Sequence, residues 1–252
     1  MTQIGLGKWR RAAITPSAID QAREDQFLEE HITAGALIHE ETAKALGAAL
    51  RGETDTNRRE LLALRVFAEY VSALETMGAW GWAIRSRSEA PLLIDAFLSY
   101  APADVLTFYE FVSTHSGELR ELLDLPPTQV ITDAFRKGGT AHAGLLGDFI
   151  KLDRNLKTAS EHYFHPQEIF LTTYNKAKHG APILHDSNLD DGEFLIMAPE
   201  RDPALSDRYA FYKFSSSDKM ITRTLHLINW VTHSTQGLVS FARNLKNAGL
   251  LY

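Results

Sequence analysis

Apolar residues recur every three or four positions along most of this chain, which is the spacing that one face of an α-helix requires. The first such run covers residues 15–50 and begins at Thr15-Pro16, a residue pair typical of a helix start. A second run covers residues 54–86 and is apolar around most of its circumference, so we expect a buried central helix there. The pattern therefore predicts a helical protein built around this second helix.

Proline and glycine divide the middle of the chain into shorter segments with the same periodicity. They predict helices over residues 90–100, 103–114, 117–123 and 128–137. A glycine-rich stretch over residues 138–144 predicts a flexible connector. After it, the pattern predicts a helix up to about residue 163 and a further helix that opens at Pro166 and ends at Gly180.

Two segments in the last third of the chain lack helical periodicity. Residues 193–198 and 208–214 are rich in aromatic and branched side chains, and prolines lie between them, which predicts a β-hairpin. A loop over residues 182–192 precedes this hairpin, and a long final helix over residues 216–246 follows it. The predicted fold class is mostly α, a multi-helix bundle with a small β-hairpin insertion near residues 193–214, formed as one domain over residues 1–252.

The composition excludes several classes of protein. The 252 residues are 44% hydrophobic and carry a net charge of −6, which indicates a globular protein with no overall attraction to nucleic acid or anionic lipid. The absence of cysteine excludes a disulfide scaffold, a thiolate metal site and a cysteine nucleophile. No apolar run approaches the roughly 20 residues that span a bilayer. We therefore expect a cytoplasmic protein that does not enter the membrane.

The densest group of chemically active side chains lies at the end of the helix predicted after Pro166. Its sequence is Tyr174-Asn175-Lys176-Ala177-Lys178-His179-Gly180. Asn175 and His179 are four residues apart and share one helix face. An imidazole transfers protons near neutral pH, an amide orients a phosphate or ribose hydroxyl, and ammonium groups stabilise phosphate charge. The set suits phosphodiester binding, or RNA cleavage without a metal by the ribose 2′-hydroxyl.

The same residues also have a purely structural interpretation. Lysine and histidine near the end of a helix interact favourably with the partial negative charge of its last carbonyl groups. Gly180 is a typical helix stop, and Pro182 follows it. Taken alone, the residue types favour this helix-end interpretation over a functional one. The pair formed by Asn175 and His179 is the part that helix termination leaves unexplained.

Residues 174–179 resemble the motif helix of HEPN (higher eukaryote and prokaryote nucleotide-binding) domains. The motif of that family is an Arg, commonly followed by a polar residue such as Asn, with a His a few residues later. Asn175 and His179 match the polar residue and the His, whereas Tyr174 stands at the position of the Arg. The resemblance implies a helical fold that binds RNA or a nucleotide, and a metal-independent endoribonuclease if the site is active.

In that interpretation His179 is the general acid and base, and Asn175 is the second catalytic residue. Tyr174, Lys176 and Lys178 are the matching substrate-binding candidates. Because Tyr174 replaces the family's Arg, the resemblance supports binding more strongly than it supports catalysis.

A polar stripe interrupts the apolar surface of the second predicted helix. It consists of Arg65, Glu69, Ser72 and Thr76. Buried carboxylates require a partner, and Arg65 is placed to pair with Glu69 four residues later. The alternative is that Glu69 or Glu75 faces the helix that carries His179 and completes a polar site in the core, with Glu69 as the substrate-binding candidate.

Two further functional hypotheses stay open at this point. The long amphipathic helices suit a non-enzymatic scaffold that forms a homodimer. A metal-dependent helical hydrolase would draw on Glu161, His162, His165 and Glu168. No Glu in the chain is followed by a His three residues later, which is the usual spacing in helical di-metal sites. We therefore predict no metal and no cofactor.

Overall fold

The computed structural model describes residues 21–35, 37–90, 92–137, 142–164, 183–186, 188–199 and 209–251. The helices in these ranges are α1 (Gln21–Glu30), α2 (Ile38–Arg51), α3 (Thr56–Arg85), α4 (Leu93–Ser99), α5 (Pro102–Thr114), α6 (Leu119–Leu122), α7 (Thr128–Lys137), α8 (His142–Phe164) and α9 (Asp218–Asn247). The strands are β1 (Ile183–Leu184), β2 (Glu193–Pro199) and β3 (Tyr209–Ser215). The predicted fold class, a mostly helical bundle with a small β insertion, is confirmed.

Helix α3 is the central element of the bundle, as the sequence predicts. It begins after Asp55, whose carboxylate accepts a hydrogen bond of 2.9 Å from the backbone N–H of Arg58 and so caps the helix. Helices α2, α4, α5, α8 and α9 all pack against it. Leu74, Met77 and Trp80 are fully buried. An apolar surface on nearly every side therefore allows α3 to pack against neighbours along its whole length.

Two glycines bring α5 directly onto the backbone of α3. A Cβ atom added at Gly81 would lie 2.3 Å from the ring of Phe108, and one added at Gly78 would lie 2.6 Å from the ring of Tyr109. Both distances are far below van der Waals contact, so any larger side chain would push the two helices apart.

The three strands form an antiparallel sheet in the order β1-β2-β3. Phe194 of β2 faces Phe214 of β3 across the hairpin, and Phe194 and Ile196 are buried against Leu64 of α3. The buried carboxylate of Glu60, also on α3, lies 2.8 and 3.0 Å from Nε2 of His185, just after β1. The sheet is thus fixed to the first half of α3 by apolar packing and by one polar contact.

The structure corrects three predicted boundaries. The run over residues 15–50 is not one helix, because a π-helical turn over His31–Gly35 separates α1 from α2; residues 15–20 lie outside the described part of the chain. The hydroxyl of Thr33 donates to the backbone carbonyls of Glu29 and Glu30 at this turn. Strand β1 lies in the predicted loop over residues 182–192, and its two residues are too few to show strand periodicity. Helix α8 begins at His142, inside the predicted connector.

A buried ionic cluster ties the end of α9 to α1 and α4. The side chain of Lys246 is only 1% exposed, and its ammonium lies 2.8 Å from the carboxylate of Glu24 and also contacts Asp25. The other oxygen of Glu24 accepts a hydrogen bond of 3.2 Å from the backbone N–H of Ile94, near the start of α4. Three helices therefore depend on the match between one buried cation and its carboxylates.

Replacing Lys246 by methionine removes the cation and leaves the fully buried carboxylate of Glu24 without it. We expect Lys246→Met to lower the free energy of unfolding by about 3 kcal/mol, since breaking a buried ion pair strands the remaining charge. Urea unfolding followed by circular dichroism at pH 7 measures this loss.

The exposed lysine of α8 provides the matched control. Lys151→Met should change the free energy of unfolding by less than about 0.5 kcal/mol. Adding Glu24→Gln to Lys246→Met should restore part of the loss, because it removes the stranded charge. A loss below about 1 kcal/mol in Lys246→Met would show that the cluster does not hold the three helices together.

Candidate functional site

Five of the six predicted site residues lie outside the described ranges, so their roles stay predictions. They are Tyr174, Asn175, Lys176, Lys178 and His179. The sixth, Glu69, lies on α3, and its carboxylate is 2.6 Å from Nδ1 of His39 on α2. The pairing of Glu69 with Arg65 was predicted wrongly, because His39 reaches the carboxylate from the neighbouring helix while Arg65 is exposed.

A cavity of about 570 Å³ lies beside α3, and the hairpin, the end of α8 and the start of α9 form its other walls. Its size falls within the range of small-molecule binding sites in proteins. Its lining joins aromatic rings to polar side chains. We therefore take it as the candidate functional site.

Aromatic rings form much of the apolar wall of this cavity. Phe67 of α3 and Phe214 of β3 meet edge to face, with ring centroids 5.2 Å apart at 71°. Phe194 of β2 stacks on the same Phe214 with centroids 5.8 Å apart at 22°. The hairpin register places these two phenylalanines opposite one another, so the strand pairing itself builds the wall.

A hydrogen bond between a phenol and an imidazole lies at the polar end of the cavity. Tyr70 of α3 is 2% exposed, and its hydroxyl bonds Nδ1 of His162 near the end of α8. Burial raises the pKa of Tyr70 well above its ordinary value, although the charge of Arg223 opposes this. Burial lowers the pKa of His162; Glu161 opposes that effect and Arg223 adds to it. At neutral pH both groups are therefore uncharged hydrogen-bonding groups.

Arg223 of α9 supplies the uncompensated charge at the cavity. Among the described residues it forms no ion pair, whereas the other cation of the lining, Lys213, lies 2.7 Å from the carboxylate of Glu193. A guanidinium without an acidic partner favours an anion at the same place. The cavity thus combines an aromatic wall, two neutral polar groups and a positive charge that no described residue compensates.

A second polar cluster links α2 to α3. Nδ1 of His39 lies 2.6 Å from Glu69, and Nε2 lies 2.9 Å from the hydroxyl of Thr76, which donates to the carbonyl of Ser72 at 3.0 Å. The order of carboxylate, imidazole and hydroxyl is that of a hydrolase triad. Thr76, however, lies inside α3, where backbone N–H groups bond within the helix and cannot form an oxyanion hole.

We therefore interpret the His39 cluster as a clamp between two helices. It explains the polar stripe of α3, because Glu69 and Thr76 both bind the same imidazole. His39 is only 8% exposed, so the clamp lies within the bundle. The polar stripe of α3 indicated a buried polar contact. Helical spacing does not show which residue of another helix makes that contact.

The described residues contain no group of three or more His, Asp or Glu side chains arranged to hold a metal ion. Glu161 and His162 are among them, while His165 and Glu168 lie outside the described ranges. None of the helices in the described ranges combines the length and apolar character needed to cross a membrane.

Comparison of the chain with protein-family models, with curated proteins and with solved structures found no match in any of the three.

A titratable side chain also joins α3 to the turn after α1. Nε2 of His31 accepts a hydrogen bond of 2.7 Å from the indole N–H of Trp80, and the two ring centroids are 4.9 Å apart. Burial lowers the pKa of His31 to about 4, and the nearby His39 adds to this effect. His31 is therefore neutral in the folded protein, as the hydrogen bond requires.

Stability should fall as the pH drops between about 6.5 and about 4, the unfolded and folded pKa of His31. In this window the unfolded chain binds a proton at His31 that the folded protein does not bind, so acid favours unfolding. The expected loss from His31 alone is about 1 to 2 kcal/mol after allowance for solvent screening at this half-buried ring.

His31→Gln keeps an acceptor for Trp80 and cannot titrate. Urea unfolding followed by tryptophan fluorescence at pH 7, 6, 5 and 4 should show a shallower decline for this variant than for the wild type. Equal declines would mean that His31 does not contribute to acid sensitivity. His226→Gln, at an exposed position of α9, is the matched control and should leave the slope unchanged.

Proposed function

We propose that this protein binds an anionic ligand with a flat aromatic part, of the nucleotide class, in the cavity beside α3. The observation that supports the proposal is the guanidinium of Arg223, which no described residue pairs with, next to an aromatic wall formed by Phe67 and Phe214. A nucleotide joins the two corresponding features, a ring that stacks and a phosphate that carries charge.

The base and the phosphate both contribute to the binding free energy, by amounts known in order of magnitude from other proteins. Stacking of one base on aromatic side chains contributes about 1–3 kcal/mol in proteins that bind single strands. A charge-assisted hydrogen bond between a guanidinium and a phosphate contributes about 1.5–3 kcal/mol. The phosphate therefore contributes about as much to the binding free energy as the base does. Removing either group from the ligand should cause a measurable loss of affinity.

The neutral pair formed by Tyr70 and His162 supports the same ligand class. Phenol and imidazole groups donate and accept hydrogen bonds without adding charge, which suits a ribose hydroxyl or the edge of a base. The cavity has the volume for a single nucleotide, not for a duplex. An RNA ligand would therefore insert one unpaired nucleotide.

The resemblance of residues 174–179 to the HEPN motif helix favours the same ligand class by an independent route. The proposal itself concerns binding alone. Ribonuclease activity of His179 and formation of a homodimer stay predictions from the sequence, to be tested by RNA cleavage assays and light scattering.

Isothermal titration with each of the four ribonucleoside 5′-monophosphates, and with the matching nucleosides, tests this proposal. We expect at least one monophosphate to bind at least about tenfold more tightly than its nucleoside, because only the monophosphate meets Arg223. Arg223→Gln should weaken binding of that monophosphate by about 10- to 100-fold. The same variant should leave nucleoside binding unchanged.

Arg154→Gln is the matched control, since Arg154 is exposed on α8 and does not line the cavity. Its affinity for the monophosphate should equal that of the wild type. Binding that is equally strong in Arg223→Gln, or equally weakened by Arg154→Gln, would place the ligand elsewhere. Failure of all four monophosphates to bind would end the proposal.

A further inference from the structure

We propose that the cavity takes up a proton together with its anionic ligand, and that His162 is the group that binds this proton. The inference rests on the proposed function, because it concerns the same cavity. It adds a mode of regulation, in which acidification strengthens ligand binding.

The bonding of His162 permits both protonation states without a structural change. Its Nδ1 is hydrogen-bonded to the hydroxyl of Tyr70, and no carboxylate among the described residues bonds the imidazole. A phenol donates to an unprotonated ring nitrogen and accepts from a protonated one. The contact between α3 and α8 therefore persists in both protonation states. The proton affinity of His162 can then change with the charges around it without breaking this contact.

The charged groups that face His162 come from each surrounding element. Glu161 is its neighbour on α8, Arg223 approaches from α9, and Tyr70 approaches from α3. From the hairpin, Lys213 and Glu193 line the same cavity as a mutually compensated pair. The indole of Trp230 on α9 lies 5.9 Å away and carries no charge.

This arrangement opposes protonation in the empty cavity and favours it in the occupied one. Without a ligand, burial and the charge of Arg223 both disfavour the imidazolium ion, and Glu161 only partly offsets them. An anion beside Arg223 cancels the repulsion from the guanidinium and attracts the imidazolium directly. Binding should therefore raise the proton affinity of His162, and by linkage a lower pH should strengthen binding.

Protonation also turns the imidazole into a charged donor. While Tyr70 donates to Nδ1, the neutral ring carries its hydrogen on Nε2; the imidazolium keeps this Nε2–H and donates from Nδ1 to Tyr70. With Arg223, two cationic donors then act on one anionic group. This should make the pH dependence strong for a phosphate or sulfate and absent for an uncharged nucleoside.

Isothermal titration in two buffers of different ionisation enthalpy measures the protons taken up per ligand bound. The probe is the 5′-sulfate of the nucleoside whose monophosphate binds most tightly, because the charge of a sulfate ester does not change between pH 5 and 8. We expect proton uptake at pH 7, and an affinity that rises as the pH falls towards 6 by up to about tenfold per pH unit.

His162→Gln keeps a hydrogen-bonding side chain but cannot bind the proton. This variant should bind the sulfate without proton uptake and without pH dependence. His226→Gln changes an exposed histidine of α9 that does not line the cavity, and its proton uptake should match that of the wild type.

The two proposals fail in distinguishable ways. Binding without proton uptake, or uptake that persists in His162→Gln, would overturn the coupling and leave the proposed function intact. Absence of binding at every pH would overturn both. If His162→Gln does not fold, NMR titration of the His162 ring in the wild type, with and without the sulfate, replaces it. An unchanged pKa of that ring would then overturn the coupling.

Discussion

Enclosure of α3 is the constraint on which the rest of the structure depends. A polar side chain on a buried face of this helix cannot reach water, so it needs a partner from another element. Glu60 meets His185 after β1, Glu69 meets His39 of α2, and Tyr70 meets His162 of α8. These three contacts connect the sheet, α2 and α8 to the same central helix.

The cavity arises where this enclosure is incomplete. Beside Tyr70, the wall of α3 faces the hairpin and the first turns of α9 across a space of about 570 Å³. The cross-strand pair of Phe194 and Phe214 closes one side of it, and Arg223 adds a charge that no described residue neutralises. Because polar partners and apolar walls converge there, the cavity is suited to a ligand.

The sequence was sufficient for the elements whose periodicity is long. Residues 54–86 were predicted as a buried helix and form Thr56–Arg85, and the hairpin lies within one or two residues of its predicted strands. The break at His31–Gly35 was missed, because a π-helical turn continues the helical pattern without a proline. The two residues of β1 were missed because they are too few to alternate.

The candidate site was less predictable, for a physical reason. Tyr70 and His162 are separated by 92 residues in the chain, and Arg223 lies still further along. Helical periodicity shows which face of a helix is buried, but it does not show which residue of another helix that face meets. Glu69 was placed correctly on the polar stripe of α3, and only the structure identifies His39 as its partner.

Methyl NMR tests most directly whether a ligand binds in the cavity beside α3. Met220, Ile221 and Leu227 of α9 line the cavity, while Leu98 and Val130 are exposed elsewhere. Titration with the tightest-binding ribonucleoside monophosphate should shift the first three methyl groups and leave the other two unchanged. Shifts confined to methyl groups away from the cavity would contradict the account.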